Sequence, residues 1–235
     1  MRDARLRRTE RRLIIEGPHL LAAALGAGLH PMAVLGTEAA LAKAEIRQLV
    51  AQSGFAPVVL SDSAFNAIAD AETPVGIAAE LAIPELRRKG SAVFLEGVQD
   101  AGNVGAIVRS AAAFGAGEVV LDRQCADPWS PKVLRAGMGG HFAIGIRQVE
   151  DLSASLQNFS GRLICAVARG GGPLRHADLS GRLGWAFGGE GAGLSAAVLE
   201  RAAERVTIPM ASGESLNVAA AAAVCLYEGF SRPAG

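Results

Sequence analysis

The chain has 235 residues, half of them apolar and a fifth charged, which suits one large packed domain or two small ones. No apolar run reaches the roughly 18 residues that cross a bilayer, and the N-terminus carries arginines without the apolar core of a secretory signal, so membrane and secreted classes are set aside. Lys plus Arg and Asp plus Glu stand at 23 each, for a formal net charge of zero, which argues against binding nucleic acid by bulk charge alone.

Charge is nonetheless uneven. The first twelve residues, MRDARLRRTERR, hold six arginines against two acids, and Arg87, Arg88 and Lys89 form a second basic cluster. Such clusters meet phosphates through counterion release or simply form a solvated arm, and charge does not separate the two readings. From Glu16 onward, EGPHLLAAALGAGL has helical spacing and MAVLGT reads as a strand. AALAKAEIRQLVAQSG reads as one amphipathic helix with a glycine stop, followed by strand PVVLSD, short helix SAFNAIAD and strand VGIAAEL. The stretch IPELRRKGSAV then combines a proline, a basic run and a Gly-Ser pair, which predicts a domain boundary. We accordingly divide the chain into residues 1–85 and 91–235, with 84–90 as linker.

Past the boundary the alternation is regular. Strand AVFLEGV precedes helix GAIVRSAAAFGA and strand EVVLD; SPKVLRAGMG is predicted helical, FAIGIRQV extended, DLSASLQNF helical and RLICAVA extended. GWAFGGE and RVTIPM are further short apolar strands, and an alanine-rich helix closes the chain. Strands apolar along their whole length predict an α/β fold with a parallel sheet covered on both faces. Cys125, Cys165 and Cys225 lie far apart in apolar surroundings, the pattern of reduced, buried thiols in a cytoplasmic protein. His19, His30, His141 and His176 show no ligand spacing, so no metal site is expected.

Three corners combine a strand end, glycines and a few polar residues, the place where open α/β sheets bind ligands. In LEGVQDAGNVGAIVRSAAAFGA, Asn103 suits a helix N-cap, and Arg109 is isolated in a small, apolar helix, where it must snorkel, pair or meet an anion. In WAFGGEGAGLS, Gly188, Gly189, Gly191 and Gly193 surround a single acid, Glu190, in a loop that lets a ligand touch backbone. In IPMASGESLNVAAAAAVC, Ser215 suits an N-cap with Asn217 in the first turn, and the alanines that follow give a thin profile for close packing. Neither a dinucleotide fingerprint nor a P-loop is present, which disfavours a nicotinamide-dependent oxidoreductase. A cofactor-free RNA-binding protein would not need the Glu190 loop.

The ordered set Asn103 and Arg109, then Gly188–Leu194, then Ile208–Met210 with Ser215–Val218 resembles the SpoU/TrmH branch of the SPOUT methyltransferases. The N-terminal part, with IIEGPHLLAAALGAG and VLSDSAFNAIADAETPVGIAAEL, resembles the L30e-like substrate-binding domain that precedes many of these catalytic domains. The resemblance implies a small N-terminal L30e-like α/β domain and a SPOUT α/β domain with a C-terminal deep trefoil knot, a rare exception to unthreaded chains. It implies S-adenosylmethionine as cofactor, held by Gly188, Gly189, Ile208, Met210 and Leu216, and transfer of its methyl group to a ribose 2′-hydroxyl of RNA. Arg109 would meet the RNA phosphate and the hydroxyl, with Asn103, Glu190, Ser215 and Asn217 orienting it and the substrate. Ribosomal RNA is the expected partner, transfer RNA or a non-catalytic RNA-binding role being the alternatives, and a homodimer through the knot is expected. Three positions depart from the family pattern: Ala101 where proline is frequent, Gly137 where serine is common, and a Met210–Ser215 loop about one residue short.

Overall fold

The computed structural model describes residues 4–86 and 89–232. Arg2 of the basic arm and Arg87 and Arg88 of the second cluster lie outside the described residues. The N-terminal half is built on a four-stranded sheet in the order β1-β4-β2-β3, made of β1 (Arg12–Glu16), β2 (Ala33–Thr37), β3 (Val58–Leu60) and β4 (Ile77–Ala82). β4 runs antiparallel to both neighbours, and β3 runs parallel to β2. Helices α1 (Ala4–Glu10), α2 (Pro18–Gly26), α3 (Glu38–Leu41), α4 (Ala44–Ser53) and α5 (Asp62–Ile68) accompany it.

The segment expected to be one helix over 39–54 is two, because Lys43 takes an extended conformation between α3 and α4. Thr37 starts the first of them by accepting the Ala40 amide, and Gly54 stops the second in a left-handed conformation. α1 and β1 were not foreseen. In β1 the residues alternate, with Leu13 and Ile15 buried, but the flanking arginines hide that period in the sequence.

The C-terminal half carries a seven-stranded, wholly parallel sheet in the order β7-β6-β5-β10-β8-β11-β9. Its strands are β5 (Ala92–Glu96), β6 (Glu118–Asp122), β7 (Gly145–Val149), β8 (Arg162–Ala166), β9 (Gly172–Pro173), β10 (Leu183–Gly188) and β11 (Glu204–Thr207). Helices α6 (Ala101–Ala113), α7 (Pro131–Gly137), α8 (Leu152–Gln157), α9 (Ala196–Leu199) and α10 (Val218–Ser231) connect and cover it. The central strands β5, β6 and β10 are buried along nearly their whole length, as their unbroken apolar sequences require. The extension expected at 142–149 begins only at Gly145, since Gly140–Phe142 makes a short 3-10 turn. The three cysteines are free and buried. No helix among the described residues is long and apolar enough to cross a membrane.

The two halves share packing although they divide in sequence. Trp129, Leu134 and Phe142 join Leu13, Leu20 and Leu21 in one apolar cluster, where each fully buried side chain contributes roughly 1.5–3 kcal/mol. Arg7 of α1 is buried to 3 % exposure and ion-paired with Asp127, and Arg135 pairs with Asp70 at 2.8 Å. Arg7 is therefore spent on holding the halves together rather than extended into solvent.

His141 lies beneath this junction. It is fully buried, its Nε2 is 2.9 Å from the Pro128 carbonyl, and its ring is 5.5 Å from that of Trp129. The carbonyl selects the tautomer protonated at Nε2, which leaves buried Nδ1 without a partner. Gly137 accounts for that fit, because a Cβ there would overlap the imidazole. Burial pushes the His141 pKa down to about 4, against the weaker opposing effect of the Pro128 hydrogen bond. The folded value lies below the unfolded one, so the neutral ring's contribution is complete above about pH 6.5 and is lost as pH falls toward 4, on the order of 3 kcal/mol in all. Denaturant melts of the wild type and His141→Gln between pH 7 and 4 should show a steeper loss for the wild type by about that amount.

Candidate functional site

Because every strand of the large sheet is parallel, the carboxyl ends of β5, β6 and β10 lie on one edge, and the loops that follow them meet there. α6 starts after β5, and Asp100 is its N-cap, accepting the Asn103 amide at 2.7 Å. Asn103, expected to cap, is instead in the first turn with its side chain free to turn outward. Its Nδ2 donates to Glu190 Oε1 at 3.0 Å, and its Oδ1 accepts from Asn217 Nδ2 at 3.0 Å. Asn217 Nδ2 also reaches Glu190 Oε1 at 3.1 Å, closing a triangle.

Asn217, not Ser215, is the N-cap of α10: its Oδ1 accepts the Ala219 and Ala220 amides at 2.9 and 3.3 Å. The capping bonds fix which end of the amide is oxygen and so aim the nitrogen at the triangle. Three residues from three separate stretches, Asn103, Glu190 and Asn217, are thereby joined over 114 positions of chain.

Beside the triangle lies a cleft of about 650 Å³. Its walls include Gly188, Gly189, Glu190, Ile208, Met210, Ser215 and Leu216, so all five residues expected at the cofactor are together, with Ser215 and Glu190 from the expected catalytic set. Phe187, Leu199 and Val206 add apolar surface, and Arg169 and Glu214 flank it. Gly188 and Gly189 sit where no side chain fits: a Cβ on the first would overlap the backbone of Gly193 and Leu194, and on the second the carbonyl of Gly97. Gly191 and Gly193 take left-handed conformations, with φ of 93° and 67°, and a Cβ on either would meet nothing. The loop thus turns bare backbone donors and acceptors toward a cleft of the size and mixed character that takes a drug-sized ligand. The residues present fit an adenosyl cofactor with a charged amino-acid end.

Arg109 is not brought into this cleft by its own chain. It lies on an exposed face of α6 and makes no hydrogen bond or ion pair among the described residues. Six residues separate it from Asn103, which on an α-helix is about 9 Å along the axis and well round the cylinder.

Two carboxylates that sequence reasoning missed hold the loops in place. Glu96 Oε2 accepts the Ser195 amide at 2.7 Å, tying the end of β5 to the glycine loop. Buried Asp122 accepts the amides of Gly97, Gln124 and Cys125 at 3.1, 3.0 and 2.9 Å, locking the β5–α6 turn to the β6–α7 turn. Their signal was available, since each is the last residue of an apolar strand. Cys125, just below, has its thiol pushed up to about 12, chiefly by burial, and stays protonated, so no thiolate chemistry arises here. Among the described residues no group of three or more His, Cys, Asp and Glu side chains gathers as a metal site.

Both halves of the chain match known families. Residues 90–227 match the SpoU rRNA methylase family, and residues 1–79 match the MRM3-like substrate binding domain. The chain is 32% identical over 219 residues to the 23S rRNA (guanosine(2553)-2′-O)-methyltransferase RlmP of Bacillus subtilis, covering 91% of this chain and 86% of the relative. Among solved structures, an RNA methyltransferase of the TrmH family from Porphyromonas gingivalis superimposes with a TM-score of 0.82 at 31% identity, over 97% of this chain and 93% of that one. The AdoMet-bound rRNA methyltransferase from Sinorhizobium meliloti gives 0.80 at 25% identity, over 97% and 90%.

Proposed function

We infer the function from one premise: the chain belongs to the SpoU rRNA methylase family. It is an RNA methyltransferase that uses S-adenosylmethionine and acts on a ribose 2′-hydroxyl. The observation that carries this reading is the junction of the Asn103, Glu190 and Asn217 stretches at the lip of a cleft walled by glycine backbone.

The cofactor supplies an electrophilic methyl carbon next to a sulfonium. The chain's own task is to align a poor nucleophile with it, and alignment alone is worth several kcal/mol. Gly188, Gly189, Ile208, Met210 and Leu216 hold the cofactor, largely by backbone groups and apolar contact. Asn103, Glu190 and Asn217 orient the ribose, and Ser215 contributes its hydroxyl at the same lip. Arg109 is the cationic partner of the phosphate and of the alkoxide that develops at the 2′-oxygen; an arginine keeps its proton, so it does not act as base.

Arg109 serves a second copy's cleft. α10 exposes Val224, Tyr227 and Phe230 at 42, 56 and 63 %, at spacings that put them along one side, and α6 exposes Arg109 and Ala113, one turn apart. α6 and α10 pack together, with Phe114 against Tyr227 and Phe230 at 5.7 and 5.9 Å between ring centroids. An exposed apolar face on one of two packed helices, with a cation without a partner exposed on the other, suits a two-fold interface. The trefoil knot belongs to this reading too, supported by the likeness to the solved family structures. Tyr227→Asp combined with Phe230→Asp should halve the mass seen by sedimentation and abolish methyl transfer while S-adenosylmethionine still binds.

Ribosomal RNA is the substrate, delivered by the N-terminal domain, residues 1–85, across the linker 84–90 to the catalytic domain, 91–235. The B. subtilis relative named for 23S rRNA and the match of residues 1–79 to a substrate-binding domain support it. Buried free thiols suit a reducing compartment, so the cytoplasm is the place of action. Transfer of labelled methyl groups to unmodified 23S rRNA transcript and to transfer RNA transcripts, followed by digestion to nucleosides, tests the whole reading. The expected product is a 2′-O-methylnucleoside from the ribosomal transcript; label on a base, or on transfer RNA alone, overturns it.

A further inference from the structure

Among the described residues that wall the cofactor cleft, three carry charge: Arg169, Glu190 and Glu214. Glu190 is committed to the triangle, since its Oε1 accepts from both Asn103 and Asn217. Arg169 and Glu214 have only each other as partner among the described residues. They come from neighbouring loops, one between β8 and β9 and one between β11 and α10, which leave the sheet side by side because β8 and β11 pair in parallel. The bases of these loops are pinned together. The Val167 amide donates to the Val206 carbonyl at 2.9 Å, and the Gly171 amide to Thr207 Oγ1 at 3.1 Å. Farther out, Gly170 and Gly213 stand next to the two charges in left-handed conformations, with φ of 79° and 93° and open space where a Cβ would be. The charges meet at 3.9 Å with their side chains 78 and 92 % exposed. A close guanidinium–carboxylate bond is about 2.7–2.9 Å, so this pair is loosely made and both partners remain open to a ligand.

Resting on the methyl-transfer reading above, we propose that Arg169 and Glu214 seat the amino-acid end of S-adenosylmethionine, Arg169 taking its α-carboxylate and Glu214 its α-ammonium. The other walls, glycine backbone and the apolar Phe187, Leu199 and Val206, offer no counter-charge. An ammonium or a carboxylate left unpaired against them is heavily penalised, so the charged end belongs at the exposed pair. Arg169 is the one cation among the described residues of the wall, which leaves the carboxylate a single choice. Glu214 is the acid left for the ammonium, Glu190 being engaged. A zwitterion laid against an Arg–Glu pair sets four charges in alternation, each beside its opposite. The glycines next to the two charges let the loop tips adjust as the pair opens to admit the ligand.

Calorimetry on the full chain with three ligands separates the two charges. They are S-adenosylmethionine, its decarboxylated form, which keeps the ammonium, and 5′-methylthioadenosine, which carries neither group. Arg169→Gln should weaken S-adenosylmethionine about fivefold, the upper end for an ion pair open to water, and leave the other two ligands unchanged. Glu214→Gln should weaken S-adenosylmethionine and the decarboxylated form by a similar factor and leave 5′-methylthioadenosine unchanged. Both side chains are exposed, so neither substitution disturbs the packing. The proposal is overturned if Arg169→Gln binds S-adenosylmethionine as wild type does, or loses the decarboxylated form equally. An equal loss of all three ligands in Glu214→Gln, or no loss, overturns it as well. A wild type that binds 5′-methylthioadenosine as tightly as S-adenosylmethionine sinks this proposal and spares the methyl-transfer reading; a wild type that binds none of the three sinks both.

Discussion

Arg109→Ala is expected to lower kcat by about a thousandfold, the scale of losing a charge that faces a developing oxyanion. S-adenosylmethionine affinity by calorimetry should stay within about a factor of two, because the role given to Arg109 is toward the RNA phosphate and the developing alkoxide rather than the cofactor. Arg109→Lys keeps the charge and loses the planar fork, so an intermediate rate is expected. Mixing separates the two possible arrangements. Arg109→Ala has an intact cleft, and Gly188→Ala has an intact Arg109, and neither homodimer turns over. If each arginine serves the other copy, re-associated mixtures contain mixed dimers with one complete site, and activity returns to about a quarter of wild type by random pairing. An arginine that serves its own chain gives no recovery. Loss of cofactor binding in Arg109→Ala would remove it from the catalytic role altogether.

That Arg109 mattered was legible in the sequence, and where it points was not. A lone arginine among alanines signals a task, but its facing depends on what α6 packs against, and that is α7, α10 and the sheet, far away in the chain. The parallel sheet was legible for the converse reason: burial on both faces writes itself directly into unbroken apolar strands. Caps were read one motif off. Asp100 and Asn217 cap, while Asn103 and Ser215 do not, because several polar residues compete at each helix start and only the tertiary partner decides. Asn103 falls inside the first turn because Asp100 starts the helix, and its side chain is left for Glu190, 87 positions away. Within the basic arm one arginine has a task the sequence hides: Arg7 finds Asp127 across 120 residues, and no local pattern announces an ion pair of that span, while Arg5, Arg8 and Arg11 stay exposed. Glu96 and Asp122 ended apolar strands in plain view, and their weight became visible only once the amides they collect lay side by side.

The glycine loop gives the other large effect, with its sign set by main-chain contact rather than by conformation. Gly188→Ala and Gly189→Ala should each cost about 3 kcal/mol of stability and abolish measurable cofactor binding. The added methyl at position 188 would lie inside the Gly193–Leu194 peptide, and at 189 inside the Gly97 carbonyl. Neither obstacle is a side-chain tip that swings aside. The Gly193 amide already donates to the Gly189 carbonyl at 3.0 Å, and the Gly189 amide to the Glu96 carbonyl at 2.7 Å, so yielding at either contact also breaks a bond that shapes the cleft. Gly191→Ala meets no atom but must hold φ near 93°, so about 1–2 kcal/mol is expected, with weakened rather than abolished binding. Gly26→Ala reverses the sign. It lies within α2, has open space around a Cβ and needs no left-handed conformation, so about 0.5–1 kcal/mol of added stability and unchanged cofactor affinity are expected. Denaturant melts with and without S-adenosylmethionine measure both quantities in the four variants. Wild-type cofactor affinity in Gly188→Ala would mean that the loop opens on binding and that its close backbone contact is not the cofactor's cradle.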